Sequence, residues 1–241
     1  MINPLLDMNR FWSDDELIED NIELKTLTKI KSILKAGDII ITEPAHFSRL
    51  RFVDWIAKGS RVVQNTRWGH TALYDGQGKL FEARVDVLIG QGKQYDGIIS
   101  RDLGEVLVDQ NFLIVRPLVQ EQVKINAINR MKELSDKKHI RYDKLRFVQG
   151  GLDILGIRKL KVRNFEEVRR IICSEAVAKA YWDWLKFVED RHYSQILPIH
   201  IINSDKVQHV AIVDRNNEGQ VDVNMLYTLP KCSNMTSSQT G

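Results

Sequence analysis

Cysteine is scarce in this chain. Only Cys173 and Cys232 occur among 241 residues. Two thiols cannot build a disulfide framework or a four-cysteine zinc site. Charge of one sign is scarce as well: Lys and Arg exceed Asp and Glu by only three, too few to argue for a nucleic-acid partner. No run approaches the roughly 18 apolar residues of a membrane span. The first residues, Met1 to Asp20, hold no basic segment followed by an apolar one and turn acidic by Asp14, so no targeting signal is read there. H-x-x-x-H, H-E-x-x-H, G-x-S-x-G, the P-loop and G-x-G-x-x-G are all missing, which removes the usual zinc-hydrolase, serine-hydrolase and nucleotide signatures. The expectation is a soluble protein of a reducing compartment, cytoplasmic or associated with a phage or virus, with no cofactor and no metal.

What is present suits a folded domain. Hydrophobic residues make up 43% and charged residues 28%, proportions that exclude disorder, collagen and coiled coil for the bulk of the chain. Ser13 to Glu16 forms a capping-box pattern, and Leu17, Leu24, Leu27, Ile30 and Leu34 recur at helical spacing, which predicts a helix over 14–35. Asp38 to Thr42 is a β-branched run between Gly37 and Pro44 and reads as a buried strand. Phe47 to Ile56 suggests a short helix. Residues 71–74 and 79–85 flank Asp75-Gly-Gln-Gly78 and read as a hairpin. Further expectations are a strand over 111–115, a helix over 119–135, a loop at Gly150 and Gly151, a helix over 173–188, and strands over 199–202 and 207–213. The polar tail from Ser233 reads as disordered. The simplest organisation is a helical extension over 1–35, one α+β domain over 36–230 and a tail over 231–241.

Basic residues cluster between Lys137 and Arg170. Eleven Lys and Arg stand against four Asp and Glu there, a local +7, which leaves about −4 (3 − 7) on the rest of the chain. Such a segment is either a solvated face or a rim that attracts an anionic substrate or an acidic lipid surface.

The residues that bear chemistry are fewer. Cys173 lies in Ile171-Ile-Cys-Ser-Glu-Ala-Val177, between an apolar pair and an amphipathic helix. A thiol at a helix start meets unpaired N–H groups and the positive end of the dipole, which favour the thiolate. The same N–H groups can receive an oxyanion. A nucleophilic cysteine needs a base, and the base needs an orienting group. His70, in Trp68-Gly-His-Thr-Ala-Leu-Tyr74, is the candidate base at the start of a strand. Glu82, on the partner strand of the same hairpin, is the candidate orienter, because position 70 should pair with about 83 or 84. The alternative for each is structural: a core cysteine, a strand histidine, a solvated charge. His46, His139, His192 and His200 carry weaker signals, and Cys232 has no base in its segment.

Taken in order, Gly37-Asp-Ile-Ile-Ile41, Gly69-His-Thr-Ala-Leu-Tyr74, Phe81-Glu-Ala83, Tyr142-Asp143 and Ile172-Cys-Ser-Glu-Ala-Val177 resemble the circularly permuted branch of the NlpC/P60 superfamily, papain-like hydrolases of the YiiX/YaeF type and their poxvirus relatives. The resemblance spans residues 37–177, with a similar proline and following strands near 198–213. It implies a papain-like α+β fold of permuted topology, with an antiparallel sheet packed against helices and the order His70, Glu82, Cys173. It implies that Cys173 is the nucleophile, His70 the general base and Glu82 the third member. Tyr142 would position substrate or support the oxyanion, and Ser174 would lie at the oxyanion site. The chain departs from the pattern in having Gly69 where a small hydroxyl residue often precedes the histidine.

The function this implies is a cysteine peptidase or amidase that cleaves an amide bond through an acyl-enzyme, on cell-wall peptides or N-acyl substrates. A lipid-directed acyltransferase or esterase would use the same thioester. A binding or structural protein on the same scaffold would use none of it.

Overall fold

The computed structural model describes residues 25–43, 67–87, 94–107, 111–137, 140–142, 170–215 and 221–226. The chain divides into two compact units, 1–33 and 34–241. In the first, residues 25–33 are helical, within the helix expected over 14–35. The expectations for 1–24, the short helix at 47–56, the glycine pair at 150–151 and the tail lie outside the described residues, as does Cys232.

The second unit is an α+β structure built on one antiparallel sheet of seven strands. In chain order the elements are β1 (Ile39–Thr42), β2 (His70–Tyr74), β3 (Lys79–Val87), β4 (Gln94–Asp102), α1 (Leu103–Leu107), β5 (Phe112–Pro117), α2 (Glu121–Asp136), β6 (Arg141–Tyr142), β7 (Arg170–Ile171), α3 (Cys173–Tyr181), α4 (Pro198–Ile202), β8 (Val207–Arg215) and β9 (Val221–Met225). The sheet order is β4-β3-β2-β1-β5-β8-β9, and β6 and β7 form a separate parallel pair. No helix among the described residues is long and apolar enough to cross a membrane.

β1 sits at the centre of the sheet, and each of its residues is buried. A strand covered on both faces needs apolar side chains at successive positions, which explains the unbroken Ile39-Ile40-Ile41 run. The β2–β3 turn is held by Asp75, whose Oδ1 accepts from the N–H of Gln77 (2.7 Å) and of Lys79 (2.9 Å). This is the local bonding that suits Asp to a turn. Alternate residues Leu73, Phe81 and Ala83 join Ile39, Ile41, Leu113 and Val115 in the main core. Ala127, Ile128, Met131 and Leu134 of α2 and Ala176, Val177, Ala180 and Tyr181 of α3 complete it.

At the end of the sheet far from His70, Asp38 is fully buried against Arg116. Nε donates to Oδ1 at 2.8 Å and Nη2 to Oδ2 at 2.7 Å. Burial pushes the Asp38 carboxyl up, and the Arg116 hydrogen bonds oppose that push without cancelling it.

Several elements differ from the sequence expectation; α1, the β6–β7 pair and β9 were not expected, and three further differences go with specific contacts. The stretch 199–202 is helical rather than extended. Pro198 occupies the first turn, where its fixed φ suits a helix and its missing N–H costs nothing. The Leu197 N–H donates to His200 Nδ1 at 3.0 Å, and Ile201 and Ile202 enter the core. Helix α3 stops at Tyr181 rather than 188; just past its end the Lys179 carbonyl accepts from Trp182 N–H and from Arg130 of α2, which also pairs with Asp183. Strand β4 was not expected. Its central Gly97 (φ 139°) is needed because the carbonyl of Ile140 would lie 2.4 Å from a Cβ there, a backbone approach that a strand glycine often marks.

Candidate active site

The site forms where three elements meet. Gly69 N–H donates to the Thr42 carbonyl at 3.0 Å, so β1 supports β2 up to its first residue, His70. The β2–β3 register pairs Ala72 with Glu82. Side chains two apart share a face, so His70 and Glu82 lie on one side of the hairpin as diagonal neighbours. His70 Nε2 lies 2.7 Å from Glu82 Oε2. The Glu82 side chain is only 1% exposed and that of His70 19%. The carboxylate is sealed while the imidazole retains an opening.

The third element is α3, which packs over β2 and β3. Cys173 is its first residue, preceded by the extended Ile172 (φ −101°, ψ 167°). Ala176 N–H is the first to close back, on the Ile172 carbonyl at 3.0 Å. The N–H groups of Cys173 and Ser174 come before this bond, at the positive end of the helix. Glu175 reaches back to the Ile172 N–H at 3.4 Å and places a carboxylate in the first turn.

The buried Cys173 thiol lies beside the His70 ring, near enough that each shifts the other's ionisation. With Nε2 held by Glu82, Nδ1 is the ring nitrogen left for sulfur. Burial alone would push the thiol up. The His70 charge and hydrogen bond, with the main-chain amides of Thr71 and Ser174, bring it below the ordinary thiol range. Burial alone would likewise push His70 down, but Cys173 and then Glu82 raise it to about 10. Glu82 is raised by burial and lowered more strongly by His70, Arg84 and Arg101, to about 2. All three directions agree on a thiolate–imidazolium pair backed by a carboxylate. A thiolate beside an imidazolium at a helix start can attack a carbonyl, and the main-chain amides there can stabilise the oxyanion that results.

The remaining expected residues are placed less directly. The Ser174 hydroxyl is fully buried and donates to the Ile196 carbonyl at 2.7 Å, so only its main-chain N–H faces the sulfur. The Tyr142 main chain pairs with Ile171, two residues before Cys173; its side chain lies outside the described residues. The basic segment is outside them from 143 to 169. His192 binds Ser194, His200 caps α4, and His209 meets the Ile202 carbonyl at 2.8 Å, so these rings serve local structure.

Two residues at the site escaped the sequence reading. Arg101 Nη1 donates to Glu82 Oε1 at 3.1 Å, and Arg84 Nη1 stands 3.6 Å from the same oxygen. Arg84 was legible in principle, since it follows Glu82 by two and shares its face. Arg101 was not, because β4 itself was not recognised. Among the described residues no cluster of His, Cys, Asp and Glu could hold a metal ion. No family model matches the chain, and no curated protein sequence matches it.

Proposed function

We propose that the protein is a thiol hydrolase that cleaves an amide bond through an acyl-enzyme on Cys173. The observation that carries this is the 2.7 Å contact between His70 Nε2 and Glu82 Oε2, with the buried Cys173 thiol beside the same ring at the first residue of α3. A thiol, a base and an orienter meeting at the first residue of a helix is the arrangement nucleophilic catalysis requires.

In the reaction, His70 holds the proton of the Cys173 thiol. The thiolate attacks the substrate carbonyl, and the main-chain N–H groups opening α3 receive the oxyanion. His70 gives its proton to the leaving amine as the C–N bond breaks, which leaves a thioester. Water, deprotonated by His70, attacks the thioester and releases the acid and the thiol. Glu82 keeps the imidazole in register and compensates its charge throughout.

The order His70, Glu82, Cys173, with both partners on a hairpin that precedes the nucleophile helix, supports membership of the circularly permuted NlpC/P60 branch. Cell-wall peptides and N-acyl compounds are the substrate classes this membership would bring.

The test is iodoacetamide alkylation of Cys173 against pH, followed by peptide mass spectrometry, together with assays on muropeptides and on labelled phospholipid. An alkylation midpoint well below the free-thiol value of about 8.5 supports the activated pair. A midpoint at or above that value sinks it. Turnover of phospholipid alone would redirect the reading to a lipid esterase or acyltransferase. Binding without turnover in either assay would redirect it to a non-catalytic scaffold protein.

A further inference from the structure

Resting on the reading of Cys173, His70 and Glu82 as one catalytic unit, we infer that Arg101 is a positioning residue of the site: its guanidinium holds the Glu82 oxygen that His70 does not use, and so fixes the carboxylate and, through it, the imidazole.

The two carboxylate oxygens have separate partners. Oε2 faces His70 Nε2 at 2.7 Å, and Oε1 accepts from Arg101 Nη1 at 3.1 Å. A carboxylate with one bonded oxygen can still swing about its own axis; one bonded at both oxygens to groups on different strands cannot. At 1% exposure of the Glu82 side chain, bulk water is a poor substitute partner for Oε1, so the second bond must come from the protein.

Arg101 is itself anchored. It lies near the end of β4, which runs directly into α1. There Leu103 is buried, and its N–H donates to the Gly78 carbonyl at 2.8 Å, tying α1 to the β2–β3 turn. The far arm of the guanidinium, Nη2, donates to the Glu105 carbonyl at 3.3 Å, and Nε stands 3.8 Å from the Glu105 carboxylate. One planar fork thus joins α1 to Glu82, a reach and rigidity that suit Arg and not Lys. The charged groups around Glu82 are His70 from β2, Arg84 from its own strand, Arg101 from β4, Glu105 behind Arg101 on α1, and the Cys173 thiolate beyond His70. Arg84, at 3.6 Å, adds charge at a longer range than a direct hydrogen bond.

With Arg101 removed, Oε1 keeps only the Arg84 charge among the described residues. The Glu82 carboxylate, still ionised, can then turn away from Nε2 and supports the imidazolium less well. The loss is greatest on the acid side of the thiol's own titration, where the weakened imidazolium holds the thiolate less, and fades towards alkaline pH, where the thiolate forms without it.

The experiment is iodoacetamide alkylation of Cys173 in the full chain from about pH 4 to pH 9, read at the Cys173 peptide by mass spectrometry. Wild type is compared with R101Q, R101K and R84Q, each checked for folding by circular dichroism. R101Q is expected to react about tenfold more slowly than wild type near pH 5, and within about threefold of it near pH 8, as loss of one charge-assisted hydrogen bond would give. R101K should recover part of the acid-side loss, and R84Q should lose less than R101Q. An R101Q profile that superimposes on wild type, or one lowered equally at every pH, overturns the inference. If R101Q does not fold, R101K decides: an acid-side loss of about threefold supports the role, and a wild-type profile overturns it. Failure of the wild-type thiol to react below the ordinary thiol range would instead overturn the triad itself.

Discussion

His70 and Glu82 are bonded across a diagonal of the β2–β3 hairpin, not across a rung. Glu82 is paired in register with Ala72, yet its Oε2 lies 2.7 Å from His70 Nε2. The small side chain of Ala72 leaves the space that the carboxylate crosses. A glutamate has the length to make this reach, and from the same position an aspartate would fall short by about one carbon–carbon bond.

Glu82→Gln should therefore preserve shape and remove charge. The amide oxygen can still accept from His70, but the imidazolium loses its compensating carboxylate. A hydrogen bond to a charged group is worth about 1.5–3 kcal/mol, so Cys173 alkylation near neutral pH should fall roughly 10- to 100-fold. Glu82→Asp should fall as well, through distance. A Glu82→Gln protein with wild-type thiol reactivity would remove Glu82 from the site.

Stability should respond to acid through the same residue. The Glu82 carboxyl is held at about 2, below its ordinary value of 4.5. For a lowered acid, the stabilisation is fully present above the ordinary value and disappears as pH falls through the folded one. Between about pH 4.5 and 2 the wild type should thus lose up to roughly 3 kcal/mol that Glu82→Gln, having no proton to take up, does not lose. Urea unfolding of both proteins across that range measures the difference; parallel curves would contradict it.

The proposed amide hydrolysis should end at high pH for a different reason. His70 is raised to about 10, so the imidazolium persists through neutral pH and is lost only as pH passes that value. Hydrolysis of an amide needs that proton for the leaving amine, so turnover should decline on the alkaline side near 10 while alkylation, which needs only the thiolate, does not. A decline of turnover near 6.5 would mean an unraised histidine.

Asp38 and Arg116 should behave as a structural pair. Removing Arg116 leaves the buried Asp38 carboxylate with only the Lys35 N–H, 2.8 Å from Oδ2, and the Lys124 charge to compensate it among the described residues. Arg116→Met should cost about 3–5 kcal/mol, and a double replacement of both residues by apolar ones should cost less than the single change. Denaturant midpoints of the two variants decide the matter, and equal losses would argue against a coupled pair.

Two glycines should separate space from backbone conformation. Gly37 (φ 81°) would place a Cβ 2.6 Å from Lys124 Cβ and 2.8 Å from the Tyr181 hydroxyl, which donates to the Gly37 carbonyl at 2.7 Å. Gly78 (φ 97°) has nothing within 4 Å of that position. Gly78→Ala should cost about 1–2 kcal/mol from backbone strain alone. Gly37→Ala should cost about 1–3 kcal/mol more, since Lys124 and Tyr181 must also move. Thermal unfolding of the two variants would show the gap, and its absence would show that the Gly37 neighbours yield freely.

Much of the sheet was legible from local chemistry. Ile39 to Ile41 announced a buried strand, and Asp75 to Gly78 announced the turn that brings β2 and β3 together. Helix α2 and strand β8 followed from periodicity. Residues 199–202 were misleading because β-branched side chains favour strands only while packing agrees. Here a proline start, the His200 cap and the core positions of Ile201 and Ile202 outweigh the preference over so short a segment. Strand β4 was hidden by Gly97, which looks like a breaker until Ile140 is seen crossing it.

The same division runs through the site. The sequence by itself determined which residues have the chemistry: one thiol at a helix start, one histidine at a strand start, and one glutamate between apolar neighbours on the partner strand. Those are matters of residue type and near spacing. Only the tertiary structure decided that α3, about a hundred residues further along the chain, lays Cys173 against His70, and that Arg101 closes on Glu82 from a strand with no clear local signal. Contacts between distant segments depend on how whole elements pack, and burial then decides which charges survive. That is why the identity of the reactive groups can be read along the chain, while their alignment and ionisation belong to the fold.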